Sequence, residues 1–150
     1  MMATPRDIRK LAFQLLFQLD AGATDEAILA TTAPELEGLP EKDRYKAADM
    51  AKAAFDARAA ADKEMAELAP QWPAHRMAAV DRAILRLAHF EISSGRTPPK
   101  VAVNEAVELA KEFSTERSPA FVNALLDKVL KRVLPSREEA PAEGASPDQA

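Results

Sequence analysis

Apolar residues near the start of the chain recur three and four positions apart. Ile8, Leu11, Ala12, Leu15, Leu16 and Leu19 fill one broad face of a helix over about 5–20. A second row runs along the other side: Arg6, Lys10, Phe13 and Phe17, with Arg9 on its border. The same period predicts helices over about 24–32, 41–69, 74–94, 100–114 and 118–134. No segment sustains the period-two alternation of a strand, so the expected class is all-α.

The breaks have local causes. Gly22 and Thr24-Asp25 mark a stop and a new cap, and Pro34, Gly38 and Pro40 make the next connection a loop. Pro70 and Pro73 bracket Trp72, Gly95 ends a helix, and Ser118-Pro119 starts the last one. Between 47 and 61 lie nine alanines, with an expected inner face of Tyr45, Ala48, Ala51, Phe55 and Ala59. Later inner faces read Val80, Ile84, Leu87 and Ala88; then Val103, Ala106, Val107, Ala110 and Phe113; then Val122, Leu125, Leu126, Val129 and Val133. Residues 135–150 carry no large apolar side chain beyond the prolines and are expected to form a disordered acidic tail.

Composition narrows the chemistry. The chain has 150 residues, enough for one domain with a real core, and no cysteine. That excludes disulfides, thiolate metal sites and a cysteine nucleophile, and it fits a reducing compartment. The start shows no signal-like apolar run, and nothing approaches the roughly 20 apolar residues of a membrane span, so a cytoplasmic protein without membrane contact is expected. The net charge of −4 is uneven: residues 71–134 hold ten bases against seven acids, whereas 21–70 hold six against eleven. A mildly acidic total argues against indiscriminate nucleic-acid binding but leaves room for a local basic patch.

Few residues suggest reactivity. His75 and His89 lack metal-ligand spacing, and no phosphate-loop, dinucleotide or nucleophile-elbow motif occurs. No catalytic residue, metal ligand or cofactor is therefore assigned. Glu91 falls inside an apolar arc, so it needs a basic partner or the free N–H groups of the helix that follows. The last helix repeats the mixed character of the first: Phe121 lies beside Arg117, Lys128 and Arg132. Bases beside aromatics suit single-stranded nucleic acid, where charge tracks phosphate and rings stack on bases. For one such stripe, ordinary packing of each phenylalanine on a neighbouring helix is the better explanation.

The runs AVDRAILRLAHFEI and PPKVAVNEAVELAKEFSTERSPAFVNALLDKV, with RKLAFQLLFQLD near the start, resemble the transcription antitermination factor NusB family. The likeness is strong over about 72–130, moderate over 5–20 and weak over 21–70. It implies about six to seven helices in two packed subdomains, about 1–70 and 71–134, and no enzymatic activity. It implies binding of boxA-type single-stranded RNA together with the small-subunit ribosomal protein that acts as NusE, within the transcription elongation complex on ribosomal RNA operons. By position, Arg6, Arg9 and Lys10 are the implied phosphate contacts, Phe17 the base-stacking ring, and Phe121 the phenylalanine of the FVN motif. Pro5 and Asp7 interrupt an N-terminus that the family makes denser in arginine, and Arg117 stands where an acid is common. Arg117 is therefore expected to replace part of the missing charge. The rival expectation is a NusB-like paralogue that keeps a protein partner and has lost boxA recognition. A domain assisting a fused RNA methyltransferase is a third, for which this chain has no room.

Overall fold

The computed structural model describes residues 4–23 and 39–145, with side chains as far as Val133. The helix expected over 24–32 lies outside the described residues. Six α-helices are present among the described residues, and no strand: α1 (Pro5–Asp20), α2 (Glu41–Asp56), α3 (Arg58–Leu68), α4 (Ala79–Ser94), α5 (Pro99–Phe113) and α6 (Ser118–Ala145). A 3-10 turn, Ala74–Arg76, precedes α4.

Local chemistry sets the helix ends. Thr4 caps α1 by accepting the Asp7 N–H at 3.1 Å, and the Asp7 carboxylate accepts the Thr4 N–H at 3.0 Å. Asp7, which interrupts the basic N-terminus, thus closes a capping box. Gly95 ends α4 in the left-handed conformation, φ 75°, where a side chain would be strained.

The single helix expected over 41–69 is two. Asp56 ends α2 and Arg58 begins α3, with Ala57 between them at φ −91°, ψ 7°. The Arg58 guanidinium donates to the Phe55 carbonyl at 2.7 Å and stacks on the Phe55 ring, 3.8 Å from its centroid. The bond satisfies a carbonyl at the end of α2. Alanine carries no sign of such a bend. The inner face of α2 also differs from expectation. Ala47, Ala48, Ala51 and Ala54 are buried, while Tyr45 and Ala59 are exposed. Four methyl-sized side chains let α1 lie close along α2.

At the centre is α4, which contacts each of the other five helices. Its Ile84, Leu87 and Ala88 are buried as the pattern predicts, and so are Leu11, Leu15 and Leu16 of α1 and Val122, Leu125, Leu126 and Val129 of α6. These side chains belong to one continuous core. Fully burying each leucine or isoleucine contributes about 1.5–3 kcal/mol. The backbone of α6 is helical through Ala145, into the stretch expected to be a disordered tail. No described helix is long and apolar enough to cross a membrane.

Candidate nucleic-acid interface

Three of the four expected contacts on α1 share its outer side. Arg6 is exposed and forks onto Glu105 of α5, Nε to Oε1 at 2.9 Å and Nη2 to Oε2 at 2.7 Å. Hydrogen bonding from Arg6 holds the Glu105 carboxyl below the usual carboxylate range. One turn on, Lys10 donates to Glu112 at 3.0 Å, and its ammonium lies 5.8 Å from the centre of the Phe113 ring. Another two turns on, Phe17 is 36% exposed. It lines an open groove of ≈ 510 Å³ with Lys10, Phe13, Gln14, Val80 and Phe113. Phe13 itself, although it lies in the second row, is buried against Phe113, ring centres 5.1 Å apart.

Arg9 does not belong with this surface. It is 8% exposed and points into the protein. Its Nε and Nη2 donate to the two oxygens of Glu91 at 2.9 and 2.8 Å, and Nη1 lies 3.5 Å from Glu105. Thr97 donates its hydroxyl to the same carboxylate. Glu91, 1% exposed, thus gains the basic partner that its buried position demanded. Arg9 ties α1 to α4 and lies against α5, and both of its forked donors are taken by Glu91, which sets it apart from the exposed Arg6 and Lys10.

The polar row of α4 is likewise covered. Arg86 forks onto Asp62 at 3.0 and 2.7 Å and donates to Asp20 at 3.0 Å. Arg82 donates to Asp20 and to the carbonyls of Ala74 and Met77. His89, which stands alone in the sequence, meets Glu64 at 2.7 Å under α3. Burial pushes the Asp20 carboxyl up, but hydrogen bonds from Arg82 and Arg86 outweigh it and leave the group below its ordinary range.

On α6 the stripe divides. Lys128 donates to the Leu68 carbonyl at the end of α3, and Arg132 pairs with Glu64 and Glu67. Arg117 is exposed, and none of the described residues pairs with it. Phe121 meets Trp72 edge to face, ring centres 6.2 Å apart. Around them is a pocket of ≈ 290 Å³, lined also by Met77, Ala78, Asp81, Arg117 and Ser118. The Asp81 carboxylate accepts the hydroxyls of Ser114 at 2.6 Å and Ser118 at 3.0 Å. The Ser118 hydroxyl therefore serves Asp81 and not the start of its own helix.

Val80 and Phe113 border the groove, while Ala78, Asp81 and Thr115 border the pocket. The first turn of α4 and the α5–α6 connection thus separate the two depressions. The structure brings together Lys10 and Phe17 at one and Arg117 and Phe121 at the other, with Arg6 one turn before Lys10 on α1 and outside the groove lining. Sequence reasoning missed Glu105, Glu112 and Trp72 as members of this surface. The carboxylates meet their partners across about a hundred residues of chain, so no local spacing announces them.

A family model described as the NusB family matches residues 6–131. The transcription antitermination protein NusB of Symbiobacterium thermophilum is 43% identical over 135 residues, covering 84% of this chain and 88% of that protein. That of Solibacter usitatus is 39% identical over 144 residues, covering 94% and 97%. Among solved structures, T. maritima NusB superposes with a TM-score of 0.76 at 27% identity, covering 87% of this chain and 93% of that one.

Proposed function

The chain belongs to the NusB family of transcription antitermination proteins, and from that membership we propose that it binds boxA-type single-stranded RNA jointly with the ribosomal protein acting as NusE. It does so in the cytoplasm, on the transcription elongation complex, and without catalysis. The observation that carries the RNA half of this reading is the groove beside α1, where Phe17 and Lys10 offer a ring and a cation on one open face. Phosphate follows Arg6 and Lys10, a base stacks on Phe17, and Arg117 and Phe121 extend the surface past α4. Stacking contributes about 1–3 kcal/mol per base, and each phosphate contact adds an affinity that falls with salt.

Titration with boxA-like RNA tests this, with and without the ribosomal partner and against a scrambled RNA. Selective binding that tightens with the partner is the expected result. One observation favours a second reading, the paralogue that retains a protein partner but not boxA. Arg6 and Lys10 are both already paired with carboxylates of α5, so RNA must displace Glu105 and Glu112 to use them. Partner binding without RNA selectivity is the outcome that reading expects.

A further inference from the structure

Helix α3 is attached to the rest of the fold chiefly by charge. Of its 11 residues only Ala61 and Met65 are buried, and no side chain caps its first turn. Every carboxylate on it meets a base across the seam. Asp62 accepts from Arg86 of α4 at 2.7 Å, and Glu64 lies 2.7 Å from His89 Nε2. Arg132 of α6 donates to Glu64 at 3.2 Å and to Glu67 at 3.1 Å, and Lys128 donates to the Leu68 carbonyl at 3.2 Å. Along this seam the acids belong to α3 and the bases to α4 and α6. The backbone leaves helical geometry on both sides of α3, at Ala57 and at Ala69, the latter with φ −140° and ψ 76°.

This arrangement lets α3 come away as a unit. The outer contacts stand half in water, with the Arg132 and Glu67 side chains both 47% exposed, so salt competes for them. At the inner edge Arg86 keeps a second carboxylate, Asp20 at 3.0 Å, when Asp62 leaves. Lifting the helix admits water to His89, so no charge is stranded in apolar surroundings. Segments with little apolar burial open ahead of the whole fold. Opening uncovers two basic rows, Arg86 and His89 three positions apart on α4 and Lys128 and Arg132 four apart on α6. The three carboxylates of α3 occupy these rows as a run of phosphates would, since guanidinium forks match either oxyanion.

We propose that α3 is a releasable acidic cover and that the basic rows beneath it form a latent site for a phosphate chain. The chain competes with α3 and captures the open form. The site is separate from the Phe17 groove and does not depend on boxA recognition.

Hydrogen exchange of the intact chain compares α3 with α5, alone and with inorganic polyphosphate or a uridine homopolymer. Without ligand, α3 amides should exchange faster than those of α5. Either phosphate chain should speed α3 exchange several-fold and leave α5 unchanged, because it holds the cover open. A ligand bound at any other surface does not open α3. Acceleration by polyphosphate shows that phosphate alone suffices, and acceleration by the RNA alone names a nucleic-acid strand. Two variants break the same outer contact from opposite sides. Glu67→Gln and Arg132→Gln should both speed α3 exchange. Glu67→Gln should also tighten phosphate-chain binding by up to about fivefold, and Arg132→Gln should weaken it by a similar factor. Both side chains are half exposed, so circular dichroism should be unchanged in both variants. Exchange of α3 that neither chain speeds overturns the site, as does a shift of affinity in the same direction in both variants. Amides of α3 as protected as those of α5 overturn the cover as well. None of these results bears on the boxA reading.

Discussion

The basic rows of α1 and α4 look alike in sequence and end in opposite situations. Arg6 and Lys10 pair with Glu105 and Glu112 at the surface, with side chains 63% and 39% exposed. Arg82, Arg86 and His89 pair with Asp20, Asp62 and Glu64 beneath α1 and α3, with side chains 19%, 9% and 9% exposed. The cover makes the difference. An exposed ion pair contributes about 0–1 kcal/mol, because water and salt compete for both partners. A polyanion can therefore take Lys10 from Glu112, whose side chain is 51% exposed, at little cost, whereas taking Arg6 leaves Glu105 unpaired with a side chain only 14% exposed. A buried pair cannot be exchanged so easily, since breaking it strands a charge and costs about 3–5 kcal/mol. The same residue types thus give a replaceable surface in one place and a fastening in the other, and Arg9 belongs with the second although it sits among the first.

The strongest way to break this comparison is at Arg9. Arg9→Ala should lower stability by about 3–5 kcal/mol by leaving Glu91 buried and unpaired, as read from the urea midpoint. Replacing Arg9 with Met and Glu91 with Leu together should recover most of that loss. A single variant as stable as the original would show that Arg9 is not a fastening.

Phe17→Ala comes next, with RNA affinity down by about 1–3 kcal/mol and stability changed by less than about 1 kcal/mol, because its ring is partly in water. Large destabilisation at unchanged affinity would return Phe17 to the core. Arg117→Ala should reduce the slope of log affinity against log salt by about 0.7, one phosphate contact on a single strand. An identical slope and affinity would remove Arg117 from the interface. The smallest effect is expected from Glu112→Gln, a gain of up to about fivefold in affinity for any RNA, because Lys10 no longer has a competing carboxylate. If affinity stays the same, Lys10 does not reach phosphate.

Much of the fold is legible in the sequence because amphipathic periods and stop signals are local. Pro5–Asp20 and Pro99–Phe113 fall within a residue of the pattern's bounds, and Gly95 ends α4 where its φ requires. The bend at Ala57 was not legible, since the contact found there, from the Arg58 side chain to a backbone carbonyl three residues earlier, leaves no mark on the apolar period. Nor was the burial of His89, because an apparently polar row says nothing about whether α3 will cover it. Glu91 is the instructive middle case. Its apolar setting announced that a partner was needed, but only the fold could name Arg9, 82 positions away. At the interface, residue types were legible and occupancy was not. Arg6, Lys10, Phe17, Arg117 and Phe121 lie on open surface or at its edge, while Arg9 turns inward.

The Arg9–Glu91 fork also fixes a rotation. A helix turns by about 100° per residue, so the direction in which α1 aims its side chains is a phase angle. The alanine face of α2 opposes α1 with low ridges, which restrain sliding better than turning. A two-pronged bond has no such tolerance, because both oxygens of Glu91 must meet their donors at once. With α1 keyed at Arg9, Arg6 and Lys10 are set to the α5 side and Phe17 to the groove. Advancing the key by one residue would swing the whole stripe by about 100° and turn Phe17 away from solvent. The arginine that is buried is the one that points the others outward.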